Sequence, residues 1–359
     1  MNRRTVKINV NKEYDVIIER GILPYCGKIV KEKLGDCRIA VITDSNVADL
    51  YLKTVLSSLA EEKLPTEHYV FNAGEKSKNI STLADILEFL ADNKLTRSDA
   101  VIALGGGVTG DIAGFAASVY LRGVKFIQIP TTLLAAVDSS VGGKNAVDLN
   151  AGKNLAGTFK QPDAVICDPM TLSTLSEKEF SNGLAEAIKY GVIFSEQLFE
   201  YFENDQIEDN LDAIIEKCVA FKGKIIEKDE FDTGERKLLN LGHTIGHAIE
   251  KCSNYTIPHG FAVAAGMAMT ARAGEKCGIT NIGTANRIEN LMKRLSLPIS
   301  TTFDSSSLTA AALSDKKRSG NKITLVIPEK IGKCILKEIA VDDIEDFINK
   351  GKNDQWIST

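Results

Sequence analysis

Apolar and polar positions alternate along the first half of the chain in two periods that exchange every ten to twenty residues. Residues 4–10 (RTVKINV) and 14–20 (YDVIIER) carry a period near two, which predicts two strands joined as a hairpin at Asn11-Lys12-Glu13. Residues 38–43 (RIAVIT) form a short apolar run ending at Asp44, residues 47–63 have helical spacing, and 67–71 (EHYVF) reads as a strand. Residues 79–93 place Leu83, Ile86, Leu87 and Leu90 on one stripe of an amphipathic helix. Apolar runs at 99–104 (DAVIAL), 124–129 (VKFIQI) and 163–167 (DAVIC) predict further strands. Strand–helix–strand alternation of this kind predicts an α/β domain with a mostly parallel sheet covered on both faces.

The pattern changes near residue 176. Segments 177–203, 207–229, 236–252, 260–277, 283–295 and 341–349 are helical in period. Only 322–327 (KITLVI) and 333–338 (KCILKE) read as strands, joined by Pro328 to Gly332. The expected organisation is an α/β domain over 1–175 and a mainly α-helical domain over 176–359. The boundary lies in a loop that leads into Ser176-Glu177-Lys178-Glu179, which has capping-box spacing.

Composition narrows the class. The 359 residues include 43 Lys+Arg and 48 Asp+Glu, a net charge of −5. That balance argues against a nucleic-acid binder while leaving room for a local basic pocket. The seven cysteines are scattered without a C-x-x-C pair, which points to reduced thiols and a cytoplasmic protein. The opening MNRRTVKINV has no apolar stretch of signal-peptide type, and no run of ~18 apolar residues suggests a membrane span.

Chemistry-bearing residues concentrate in three places. Residues 105–110 (GGGVTG) follow the strand DAVIAL and open an apolar helix, so Gly105, Gly107 and Gly110 satisfy G-x-G-x-x-G. Such a turn brings backbone N–H groups and a helix N-terminus to a pyrophosphate. The acidic residue expected ~20 positions later is missing, and Asp44, at the end of its own apolar run, is an alternative ribose ligand or a helix N-cap. Three of the four histidines, His243, His247 and His259, fall within one short window. His243 and His247 share a helix face, and Glu186 and Lys189 interrupt an otherwise apolar helix. Glu186, His243, His247 and His259 are four metal-ligand candidates among which spacing alone does not choose. Arg122, Lys144, Lys153, Lys189, Lys222, Arg236 and Lys316-Lys317 lie beside Gly, Asn or apolar runs rather than in charged surface patterns. Several cations converging on one cleft would suit a multiply anionic substrate.

Taken in order, GGGVTGD (105–111), YLRG (120–123), PTTLLAAVDSSVGGK (130–144), GKNLAGTF (152–159), GLAEAIKYG (183–191), RKLLNLGHTIGHAIE (236–250) and HGFAVAAGM (259–267) make the chain resemble the 3-dehydroquinate synthase family of sugar-phosphate cyclases. The resemblance implies an N-terminal NAD-binding domain, a helical C-terminal domain, and an active site between them. It assigns a divalent metal, usually zinc with cobalt as an alternative, to Glu186, His243 and His259, and moves His247 to the substrate side. It implies NAD contacts from Asp44, Asn46, Glu75, Lys78, Gly106, Gly107, Val108, Thr109, Gly110, Asp111, Thr131, Thr132, Asp138, Lys144, Lys153, Thr171, Leu172 and Thr174. Substrate contacts are implied for Arg122, Asp138, Lys144, Lys153, Asn154, Lys189, Lys222, Arg236, Asn240 and His247. Among these, Lys144, Lys189, Arg236, Asn240 and His247 are the catalytic set. Either Lys316 or Lys317 fills the family's C-terminal basic position, and Asn145 stands where many relatives have Thr. The implied reaction converts 3-deoxy-D-arabino-heptulosonate 7-phosphate to 3-dehydroquinate plus phosphate in the shikimate pathway of aromatic amino acid biosynthesis. The implied assembly is a homodimer in which Arg122 reaches the neighbouring subunit's substrate.

Overall fold

The computed structural model describes residues 3–314 and 321–353. Lys316 and Lys317 lie outside the described residues. The chain divides into two compact units, Met1–Ser176 with Leu211–Phe231, and Glu177–Asn210 with Asp232–Thr359.

The first unit is built on a seven-stranded sheet. Its strands in chain order are β1 (Arg4–Ile8), β2 (Tyr14–Ile18), β3 (Ile39–Asp44), β4 (Thr66–Phe71), β5 (Ala100–Gly105) and β6 (Lys125–Pro130). A separate hairpin follows, β7 (Lys144–Leu149) and β8 (Gly152–Phe159), and then β9 (Ala164–Cys167) returns to the sheet. The order across the sheet is β1-β2-β9-β6-β5-β3-β4. Only β1 is antiparallel to its neighbour; β2 to β4 in that order are parallel. Alternate residues of the apolar strands feed opposite faces. Ile39, Val41, Ile102 and Leu104 pack with Ile29, Val30, Val55 and Leu59 from helices Cys26–Leu34 and Lys53–Glu61. Ala40, Ile42, Val101 and Ala103 pack with Leu83, Ile86, Ile112 and Ala113 from helices Ile80–Asp92 and Gly107–Val119. Strands buried on both faces must be apolar at every position, which is why their sequences read as continuous runs.

The segment Leu211–Phe231, which the sequence reading places in the second domain, is grouped with the first unit. Its attachments are specific. Arg4 pairs with Glu216, Arg20 with Asp212 at 2.9 Å, and the Asn9 amide with Glu227 at 2.9 Å. Gly223 faces Ile8 so closely that a Cβ there would lie 2.6 Å from Ile8 Cδ1.

The second unit is mainly helical: Glu177–Phe194, Glu196–Glu203, His243–Cys252, His259–Lys276, Thr284–Arg294, Ser305–Ser314 and Ile344–Gly351. A hairpin, β10 (Lys322–Lys330) and β11 (Lys333–Ala340), packs Ile323, Leu325 and Ile327 into the same core as Ile245, Ile249, Met269 and Phe347. Several boundaries depart from the periodicity. The helix expected over 177–203 breaks at Ser195, whose hydroxyl caps the Leu198 N–H at 3.2 Å. The helix expected over 236–252 is a 3-10 segment, Glu235–Asn240, followed by a fresh start at His243 after Gly242 at φ 77°. Pro328 lies inside β10 rather than in the turn, opposite Cys334, next to a register shift. A two-stranded ribbon tolerates proline where its missing N–H faces away from the ladder.

Helices His243–Cys252 and His259–Lys276 touch backbone to backbone. A Cβ on Gly266 would lie 2.1 Å from Gly242 O, and one on Gly246 would lie 3.1 Å from Ala262 O. Only glycine permits that approach, and it sets the separation of the two helices that carry the histidines. Gly266→Ala is expected to lower stability by ~1–3 kcal/mol, the usual cost of overpacking against backbone. A urea unfolding midpoint unchanged from the parent would refute this packing constraint.

Candidate active site

The sheet order creates a switch point. From β3 the chain moves outward to β4 and then crosses to β5 on the other side of β3. In open parallel sheets the crevice at such a point, beyond the carboxyl ends of the strands, is where dinucleotides bind. Here β3 ends in Asp44 and β5 ends in Gly105, opening helix Gly107–Val119. Asp44 accepts from the Asn46 and Val47 N–H groups at 3.0 and 3.2 Å and from the Thr109 hydroxyl at 3.1 Å. It is therefore an N-cap and also a carboxylate tied to the glycine turn. The turn has no room for side chains: a Cβ on Gly106 would lie 2.9 Å from Thr132, and one on Gly110 2.7 Å from Gln128. The helix N-terminus consequently presents bare N–H groups, which favour an anion.

A second group of the first unit surrounds Lys78. This buried ammonium lies 2.5 Å from Asp111 and donates to Asn154 Oδ1 at 2.6 Å. Burial opposes its charge, but Asp111, Glu75 and Asp148 outweigh that and raise its pKa. Burial pushes the Asp111 carboxyl up, partly offset by Lys78. Lys153 lies 3.6 Å from the exposed Glu75, and Asn154 is held at φ 55° with its N–H on Asp148 at 2.8 Å. Lys222 pairs with the Asp138 carboxylate and donates to Asp138 O at 2.8 Å, where Asp138 lies in a π-helical turn, Ala135–Ser139. Lys144 is exposed at the start of β7. Asn145 bonds Gly143 O and Lys160 O at 2.7 and 3.0 Å and so fixes the root of the hairpin beside Lys144. Arg122 is exposed in a left-handed turn at φ 67°. Thr131 is buried, with its N–H on Gly105 O at 3.0 Å. Thr171 O and the Thr174 hydroxyl are held by Tyr51 Oη at 2.9 and 2.6 Å, and Leu172 is buried beside them.

The second unit gathers the histidines around one carboxylate. Glu186, fully buried on helix Glu177–Phe194, has Lys189 beside Oε2 one turn away. His259 Nε2 and His243 Nε2 face Oε1 at 3.3 and 3.7 Å. Their other nitrogens are spoken for: His243 Nδ1 lies 3.1 Å from Leu241 O, and His259 Nδ1 lies 3.2 Å from Glu250 Oε2. A carbonyl and a carboxylate can only accept, so each Nδ1 carries a proton, and Nε2 is the ring nitrogen that each histidine could offer to a cation beside Glu186. The three rings are mutually close, with His243 5.3 Å from His247 and 5.2 Å from His259 between centroids.

This arrangement fits a divalent metal. Neither Glu186 oxygen has a hydrogen-bond partner, although both are buried. Lys189 relieves one side only, and two imidazole nitrogens converge on the other. One ligand atom each from Glu186, His243 and His259 lie within 4.8 Å of one another, as do those of His247, Glu250 and His259. A mixed N/O set of this kind suits zinc or cobalt. Burial, the Lys189 cation and the neighbouring imidazoles hold His243 well below the ordinary histidine pKa. At His259 burial works the other way from the carboxylates, and the nearby Glu186 and Glu250 charges prevail, raising it to about 10. The carboxylates thus demand a positive charge at His259, and a metal ion answers the same demand.

Of the residues nominated from sequence, Lys189 and Arg236 are buried in this unit, and Asn240 ends the 3-10 segment that precedes His243. Two contributors were not nominated. Glu250 lies 3.2 Å from His259 Nδ1, and its signal was the i,i+3 spacing from His247 inside the apolar HAIE stretch. Asn182 accepts the Gly260 N–H at 2.7 Å and so fixes the chain at His259.

Comparison with known proteins places this geometry in context. Residues 68–182 match the family description 3-dehydroquinate synthase N-terminal, and residues 183–318 match 3-dehydroquinate synthase C-terminal. The chain is 43% identical to the 3-dehydroquinate synthase of Clostridium acetobutylicum over 91% of its own length and 93% of that protein. It is 44% identical to the corresponding enzyme of Clostridium perfringens over 95% of its length and all of that chain. Its fold matches a solved 2-epi-5-epi-valiolone synthase from Streptomyces hygroscopicus with NAD+ and Zn2+ bound, at a TM-score of 0.86 and 25% identity, covering 96% of this chain and 98% of that one. With a glycine turn at a parallel-sheet switch point, two histidines facing the buried Glu186, and relatives more than 40% identical over more than nine tenths of its length, the chain belongs to the 3-dehydroquinate synthase family.

Proposed function

We propose that this chain converts 3-deoxy-D-arabino-heptulosonate 7-phosphate to 3-dehydroquinate and inorganic phosphate, using NAD and a divalent metal. Family membership supplies the reaction. The single observation that carries the metal assignment is the buried Glu186 carboxylate, without a hydrogen bond and faced by two imidazole nitrogens at 3.3 and 3.7 Å. When bound, the cation supplies Lewis acidity toward a ring hydroxyl and NAD supplies a reversible hydride acceptor, so the net reaction is redox-neutral.

The roles of this chain's residues follow from their chemistry. Glu186, His243 and His259 would hold the cation, which would supply its Lewis acidity to the substrate. The N–H groups of Gly106 to Gly110 take the pyrophosphate of NAD, and Asp44 takes a ribose hydroxyl. Glu75, Lys78, Asp111, Thr131, Thr132 and the Thr171–Thr174 segment complete the cofactor contacts. Lys144, Lys153, Lys222 and Arg236 neutralise the substrate carboxylate and phosphate, so binding energy from non-reacting groups orients the ring. Lys189, Asn240, Asn154, Asp138 and His247 hold the ring hydroxyls. The departing phosphate serves as the base for its own elimination. We take the working form to be a cytoplasmic homodimer, with the exposed Arg122 reaching a neighbouring copy. Among the described residues no helix is long and apolar enough to cross a membrane.

Phosphate release from the heptulosonate phosphate, with NAD in catalytic amounts, tests the reaction directly. Product is expected without net NADH, and removal of metal by a chelator should abolish it, with recovery on adding Zn2+ or Co2+. Stoichiometric NADH accumulation would refute the assignment. Glu186→Ala, His243→Ala and His259→Ala are each expected to lose bound metal and roughly 10^3-fold in turnover, the scale of a lost Lewis acid worth several kcal/mol. Metal analysis that finds a full equivalent in His243→Ala would remove it from the ligand set. Lys144→Ala should raise KM for the sugar phosphate by about 10–100-fold, as for a lost charge-assisted hydrogen bond, while NAD affinity holds. Unchanged KM and turnover would exclude that role.

A further inference from the structure

We propose that Glu250 is a positioning residue: its carboxylate fixes the tautomer and ring orientation of His259 and strengthens His259 Nε2 as a metal ligand. The inference rests on the ligand set argued above. It starts from an inequality between the two imidazoles. His243 Nδ1 is bonded to a neutral carbonyl, Leu241 O, at 3.1 Å, whereas His259 Nδ1 is bonded to a charged carboxylate, Glu250 Oε2, at 3.2 Å. The two rings are also held unequally by packing. The side chain of His243 is 11% exposed and that of His259 is 31% exposed.

His259 is the first residue of its helix and follows Pro258, with the His243 and His247 rings 5.2 and 6.0 Å away between centroids. The Gly260 N–H on Asn182 fixes the backbone there but not the rotation of the imidazole. That rotation is set by Glu250, which is itself only 3% exposed on helix His243–Cys252. Burying a carboxylate is costly unless it is paired, and the His259 N–H is such a partner. A carboxylate on the far nitrogen raises the basicity of the near one, and such outer partners commonly change metal affinity 10–100-fold. The same bond argues that Glu250 is not itself a ligand. With Oε2 accepting the Nδ1 proton, His259 offers only Nε2, and Nε2 faces Glu186.

The test measures metal binding on the full chain after chelator treatment, by titrating Zn2+ against a chromophoric competitor. Glu250→Gln keeps the volume and an acceptor oxygen but removes the charge. It should bind Zn2+ about 10–100-fold more weakly than the parent, and its Co2+ form should show shifted visible absorption bands. Should Glu250→Gln fail to fold, Glu250→Ala is read in the same way. Zn2+ affinity within twofold of the parent, with an unchanged Co2+ spectrum, overturns the proposal. His243→Ala and His247→Ala are measured alongside. If His243→Ala loses metal while Glu250→Gln binds normally, the positioning role fails and the ligand set stands. If His243→Ala binds normally while His247→Ala and Glu250→Gln lose metal, Glu250 is a direct ligand, and both the ligand set and this proposal fall.

Discussion

One carboxylate constrains the second unit. Glu186 is buried completely, and neither of its oxygens has a hydrogen-bond partner. A charge in that position is tolerated only if other charges or dipoles are delivered to it. Lys189 comes from one turn further along the same helix, while His243 and His259 come from two other helices. Those two helices therefore have to meet closely and at a fixed separation, and glycine at 242, 246 and 266 allows their backbones to touch. The helical packing of this unit is best understood as the means of bringing two imidazole nitrogens to one buried oxygen. Hydrophobic burial supplies the cohesion, and the small residues supply the distance.

The first unit is organised around a helix N-terminus that opens directly after β5. The glycines after β5 clear space so that main-chain N–H groups and a helix dipole provide the positive potential. Side chains enter only at the margin, where the Thr109 hydroxyl joins the glycine turn to Asp44 across the switch point. The acidic residue beside this turn, Asp44, ends β3, which precedes the glycine turn in sequence and lies beside β5 in the sheet.

The parallel sheet was legible because its strands are buried on both faces, and burial imposes continuous apolar runs that composition cannot imitate. The β7–β8 hairpin was not, because glycines at 152 and 157 and charges at 144, 148 and 153 leave no period to detect. Its pairing is set by the backbone and by the Asn145 amide. Helix Ser305–Ser314 escaped for a related reason: Ala and Ser dominate it, so it has no apolar stripe, and its start is specified by Asp304 accepting the Ser307 N–H at 2.7 Å. Nor did local pattern reveal that Leu211–Phe231 belongs with the first unit, since ion pairs such as Arg20–Asp212 link positions far apart in sequence. At the site, the scarcity of histidine exposed the cluster, but four candidates remained because i,i+4 spacing places His243 and His247 on one face equally. In three dimensions Nε2 of His243 faces Glu186, while Glu250, which bonds His259 Nδ1, was hidden in an apolar-looking helix.

Three of the cations that the sequence singled out are held by carboxylates. Lys153 lies beside Glu75, Lys222 pairs with Asp138, and Lys189 pairs with Glu186, as Lys78 does with Asp111. In an acidic protein with buried ammonium groups this arrangement has a clear physical reason. An unpaired lysine in such surroundings would lose its charge or collapse onto the nearest acceptor, whereas a neighbouring carboxylate raises the pKa of Lys78 despite burial. An incoming anion then exchanges one carboxylate partner for another instead of creating a new ion pair. The free energy of such an exchange is a small difference between two large electrostatic terms, so it rewards correct placement more than charge alone.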